Sequence, residues 1–129
     1  MQISVSPFLR NVLLLDALVS GAAAIILLGG AHMLSPLLEI PQSLLFWSGA
    51  ALVPFVLMVL AVSRRQAVSR GMLLEIIAIN AAWVIASFGL LVSGFIAPNL
   101  LGIAFVSAQA IAVALFAELQ YVGLRRVAV

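Results

Sequence analysis

The sequence contains no cysteine, which excludes a disulfide framework, a thiol nucleophile, a thiolate metal site and dithiol redox chemistry. It contains no lysine, so Schiff-base chemistry and a phosphate-binding P-loop are excluded as well. Histidine occurs once, at His32, whereas a bis-histidine haem needs two such ligands and a zinc site several. Charge is equally scarce, at 8% of 129 residues. A net charge of +2 on such a chain makes no phosphate-binding surface, so nucleic acid is not an expected partner. No catalytic residue set, metal site or cofactor site emerges, and the expectation is a non-enzymatic protein.

What the chain has instead is hydrocarbon. Hydrophobic residues make up 66% of it, against about 45–50% in a soluble domain. A water-soluble fold could not cover that much apolar surface, so the bilayer is expected to be the solvent for one domain spanning 1–129. A membrane core about 30 Å thick takes roughly 20 apolar residues as a helix. Cutting at the turn-formers leaves four such runs, 11–34, 44–63, 72–96 and 100–123. Ser35-Pro36-Leu37-Leu38-Glu39-Ile40-Pro41-Gln42-Ser43 and Ala97-Pro98-Asn99 read as connectors on one side. Segments such as Ala22-Ala23-Ala24-Ile25-Ile26-Leu27-Leu28 are apolar on every side, which argues against an alternating β-barrel strand. The fold class is therefore an all-α transmembrane four-helix bundle. The first run is longer than a signal-peptide core and is retained as a helix of the fold.

Four crossings put both termini on one side. Arg10, Arg64, Arg65, Arg70, Arg125 and Arg126 all fall there, and the two opposite connectors carry no basic residue. Under the positive-inside rule that side is cytoplasmic, and the expected location is a bacterial inner membrane. The two halves also echo one another. Ser35-Pro36-Leu37-Leu38 matches Ala97-Pro98-Asn99-Leu100, and Arg64-Arg65 matches Arg125-Arg126, as in two pseudo-repeated hairpins.

Ionisable groups inside spans cost about 2.5–3.5 kcal/mol at the membrane centre on insertion scales, so each is a candidate site. Asp16, Glu75 and Glu118 enter their helices at similar depth, one to two turns from the basic end. They either form a carboxylate cluster or pair with the arginines of that face. Glu118 and Gln109 are nine residues apart and lie on opposite faces of the fourth helix. Either one of them meets a second protein, or Glu118 reaches the interface while Gln109 bonds within the bundle. Asn80, Trp83, Ser87 and Gly94 share a stripe of the third helix, as a packing face with Asn80 as polar glue or as a polar cleft. Small residues recur every four positions at Ala78, Ala82 and Ala86, at Ala104, Ala108 and Ala112, and at Ala17 and Gly21, allowing close helix contact. Pro54, mid-span, is expected to kink the second helix.

In size and four-helix plan the chain resembles the small multidrug resistance transporters and the fluoride channels. By position alone, that resemblance implies a role for Asp16 as the transporters' first-helix carboxylate. The strong basic bias and the absence of the fluoride channels' sequence segments depart from it, and no family is assigned. The leading functional expectation is an accessory, assembly or scaffold component acting through helix contacts, with the lipid bilayer and either a homo-oligomer or another membrane protein as partners. The alternative is a small oligomeric channel or proton-coupled transporter using the membrane-embedded carboxylates.

Overall fold

The computed structural model describes residues 2–128. Four helices dominate: α1 (Pro7–Leu38), α2 (Gln42–Ser63), α3 (Arg70–Ser93) and α4 (Leu100–Ala128). Each is long and apolar enough to cross a membrane. α1 packs along α2, α3 along α4, and α1 against α4, whereas α2 and α3 make little contact. Leu9 lies beside Gly123, and Leu38 beside Gly102, so α1 and α4 run antiparallel. The six arginines consequently gather at one end, with the N-terminus and the α2–α3 connection.

The helix ends differ from the expected ones for local reasons. α1 starts four residues early because Ser6 caps it, its Oγ accepting from Leu9 N at 3.2 Å, with Pro7 opening the first turn. It also continues through Ser35, Pro36, Leu37 and Leu38, assigned above to a connector. The carbonyls left over in that last turn find partners on the residue just before α4: Asn99 Nδ2 donates to Leu37 O at 2.8 Å and Asn99 N to Leu38 O at 3.2 Å. Glu39, in the left-handed region, then ends the helix with its amide on Ser35 O. α3 stops at Ser93 because Gly94 takes a left-handed conformation with φ 83°. α4 passes beyond Gly123, where a Cβ would lie 3.0 Å from Leu9 Cδ1, so that glycine serves close packing rather than helix termination. α2 runs as one helix through Pro54.

The chain is not purely helical. β1 (Gln2–Ser4) pairs antiparallel with β2 (Ala67–Ser69), Ile3 opposite Val68, in a ribbon at the arginine end. Its inward residues Ile3, Val5 and Val68 join a core of Leu9, Leu13, Val59, Leu73, Ile76 and Leu124. This plug fills the basic end of the bundle. Arg10 fastens it, donating from Nη1 to the last carbonyl of α2, Ser63 O, at 2.6 Å and from Nη2 to Arg65 O, just beyond that helix, at 3.2 Å.

Candidate functional site

Immediately past the plug, three helices bring polar side chains together. Asp16 on α1 is wholly buried, as is Gln120 on α4, while Asn80 on α3 is 3% and Ser20 on α1 6% exposed. Helical spacing puts Ser20 one turn above Asp16, and its Oγ donates to Asp16 Oδ1 at 3.0 Å. Asp16 Oδ2 accepts from Asn80 Nδ2 at 2.9 Å and from Gln120 Nε2 at 2.7 Å. Asn80 Nδ2 also lies 3.0 Å from Gln120 Oε1, closing the cluster. Both carboxylate oxygens thus act as acceptors, and every donor is a neutral group.

A second polar set lies farther from the arginines. Trp83 Nε1 donates to Gln109 Oε1 at 2.7 Å, and Gln109 Nε2 donates to Ser87 Oγ at 3.0 Å and to Val106 O at 2.8 Å. Ser87 Oγ donates in turn to Trp83 O at 2.7 Å. Two cavities adjoin these groups. One of about 140 Å³ is lined by Ser20, Asn80, Trp83 and apolar residues of α2, and another of about 130 Å³ by Ser20, Ser48, Trp83, Ser87 and Gln109 among leucine, valine and phenylalanine walls. Ser20 borders both cavities and touches Asp16. Asp16 and Gln120 border neither.

The expected polar residues therefore separate into two groups. Asp16 and Asn80 meet, and Gln109 bonds inside the bundle with Trp83 and Ser87. Glu75 and Glu118 do not join Asp16; both are exposed on the outer faces of their helices, so no three-carboxylate cluster forms. The reason is angular: on α3 the inward face carries Leu73, Ile76 and Asn80, and Glu75 falls outside that arc. Nor does Arg10 pair with Asp16, because backbone carbonyls occupy its guanidinium. Arg64, Arg65, Arg70, Arg125 and Arg126 are exposed, with Arg125 over the Tyr121 ring and Arg126 over the Phe8 ring. His32 is exposed, and no group of three or more His, Asp or Glu among the described residues is placed to hold a metal.

Gln120 and Ser20 were not among the sequence candidates, although the spacing carries both. Ser20 is one turn from Asp16, and Gln120 is eleven residues from Gln109, about 20° away around a helix and therefore on the same stripe. Comparison with protein-family models, with curated proteins and with solved structures finds no match to this chain.

Proposed function

We propose that the chain is a non-enzymatic integral membrane protein, an accessory or scaffold component that works by lateral association in the bilayer. One observation carries this reading: α3 buries only Leu73, Ile76 and Asn80 and leaves Glu75, Ala78, Ala82 and Ala86 exposed along one face. Alanines at that spacing let a second helix approach closely, and a carboxylate on a lipid-facing surface is stabilised by a cationic or donor partner at its depth. A second copy in the same orientation offers Arg64, Arg65 or Arg70 at that level. In the proposed orientation the arginine end faces the cytoplasm and both termini lie inside, as the basic bias supports.

The test uses the cysteine-free background. In native membranes, Ala82→Cys should give a discrete cross-linked species of defined mass under mild oxidation, and Ala82→Leu should disperse the native assembly without lowering thermal stability. Monomer alone in the first experiment, with no effect of Ala82→Leu, overturns the reading.

A second reading, proton-coupled transport, is favoured by Asp16 as a buried carboxylate whose hydrogen-bond partner Ser20 borders both cavities. It requires the apolar plug to open. Purified protein in liposomes should then support a flux that Asp16→Asn abolishes with folding intact, and absence of flux in the unmodified protein removes this reading.

A further inference from the structure

The two cavities share a wall of Ser20, Leu52, Trp83 and Val113, so they follow one another along the bundle beyond the plug. The inner one reaches Phe55 and Asn80, and the outer one Leu44 and Leu90. From Asn80 to Leu90 along α3 is about 15 Å at the rise of a helix. Their volumes of about 140 and 130 Å³ are each close to the roughly 150 Å³ of an apolar cavity that stays dry and admits benzene. A void among hydrocarbon walls forgoes the contacts its lining atoms would otherwise make, so a chain that fills it is favoured. A way in exists. The inner cavity is bordered by Ala51 on α2 and Ile79 on α3, both exposed, at the seam where these two helices make little contact. With lipid as the solvent, that seam faces acyl chains.

The polar set of the outer cavity selects the other end of the occupant. Both amide hydrogens of Gln109 are spent, on Ser87 Oγ and on Val106 O, and the indole hydrogen of Trp83 is spent on Gln109 Oε1. The Ser87 hydroxyl hydrogen goes to Trp83 O. These residues therefore keep acceptor capacity only, a second lone pair on Gln109 Oε1 and one on Ser87 Oγ. Ser48 adds a hydroxyl from α2. No charged residue among the described ones lines either cavity. A carboxylate or phosphate would find no cation there, an ammonium would find no anion, and burying an unpaired charge is costly. A neutral hydroxyl can donate to Gln109 or Ser87 and is satisfied.

We infer that the paired cavities bind one long-chain alcohol, a neutral hydrocarbon chain ending in a hydroxyl, taken laterally from the bilayer between α2 and α3. Its hydroxyl lies at Gln109 and Ser87, and its chain runs against Trp83, Leu52 and Phe55. The site depends neither on lateral association nor on transport of a solute.

Trp83 walls both cavities and reports the occupant. In the full chain in phospholipid vesicles, Trp47→Phe leaves Trp83 as the single tryptophan. Dodecanol carrying a terminal bromine, a contact quencher of indole fluorescence, should then quench with a saturable component that unbrominated dodecanol displaces. Bromododecane and, in alkaline buffer, bromododecanoate should quench only in proportion to their content in the bilayer. Ser87→Ala should weaken the saturable component about five- to tenfold, the scale of one hydrogen bond. Ala112→Phe, which fills the outer cavity, and Ala51→Phe, at the exposed mouth of the inner one, should each abolish it. The inference is overturned if quenching by the alcohol is merely proportional, if bromododecane or bromododecanoate saturates as the alcohol does, if Ser87→Ala binds it as the native chain does, or if the saturable component survives the phenylalanine variants. Should Ala112→Phe fail to fold, Ala51→Phe, on exposed surface, decides the point.

Discussion

Asn80 Nδ2 sits 2.9 Å from Asp16 Oδ2 and 3.0 Å from Gln120 Oε1, so a single amide nitrogen joins α3 to both α1 and α4. Apart from its packing against α4, α3 has few other attachments: its remaining fully inward residues are Leu73 and Ile76. The hydrogen bonds of this cluster fix the rotation of α3 about its own axis, and hence which residues it leaves on its outer face.

Removing one member should cost more than removing them all. Asn80→Leu leaves Asp16 and Gln120 short of a partner and is expected to destabilise by about 1.5–3 kcal/mol, the range for hydrogen bonds to charged groups. The triple change Asp16→Leu, Asn80→Leu, Gln120→Leu replaces the whole network with hydrocarbon and should lose less than Asn80→Leu alone. Unfolding midpoints in graded denaturing detergent give the comparison. A triple variant much weaker than the single one would show that the cluster is a net source of stability.

The seam between the end of α1 and the start of α4 is as sensitive for steric reasons. A Cβ at Gly102 would meet the carbonyl oxygen of Leu38, a backbone atom that cannot step aside. Gly102→Ala should therefore lower stability by about 1–3 kcal/mol, the usual cost of overpacking. Gly89→Ala meets nothing within 4 Å and serves as the control, with an expected gain of up to about 1 kcal/mol from helix propensity. Thermal midpoints in one detergent check both.

At the other end, Arg10 reaches over to carbonyls 53 and 55 residues away. Losing these charge-assisted bonds should open the α2–α3 connection about tenfold more often, from a contribution of roughly 1.5 kcal/mol. Limited trypsin digestion of Arg10→Ala should accordingly cut after Arg64 or Arg65 about ten times faster than in the native chain. Arg10→Lys should rescue only in part, because one ammonium cannot bridge both carbonyls as the guanidinium fork does. Equal cleavage rates in all three would place the fastening elsewhere.

The four helices were legible because each is a long run of hydrocarbon, and the gathering of the arginines follows from counting antiparallel helices. The helix ends were less so. Pro36 and Gly123 look like stops in one dimension, yet α1 is prolonged by Asn99 reaching back from 62 residues on, and Gly123 is there to admit Leu9. The strand pairing of residues 2–4 with 67–69 has no local signal, since three residues per strand are too few for a pattern. Among the polar residues, depth was readable and direction was not. Asp16, Glu75 and Glu118 share a depth, but only Asp16 falls on an inward arc, and that arc is set by which neighbours pack. Ser20 and Gln120 carry no charge, so no insertion cost marks them in the sequence, and only their helical spacing from Asp16 and Gln109 places them on the inward arc.

The most direct measurement is thiol accessibility across the membrane, for which the natural absence of cysteine leaves a clean background. Ser43→Cys lies at the start of α2 and Gln66→Cys beside Arg64 and Arg65, both exposed, and neither change alters the charge bias. In intact cells a membrane-impermeant maleimide should label Ser43→Cys and leave Gln66→Cys untouched until the membrane is permeabilised. Labelling of Gln66→Cys in intact cells, or equal labelling of both positions, would contradict a four-helix bundle lying across the bilayer with its arginine end in the cytoplasm.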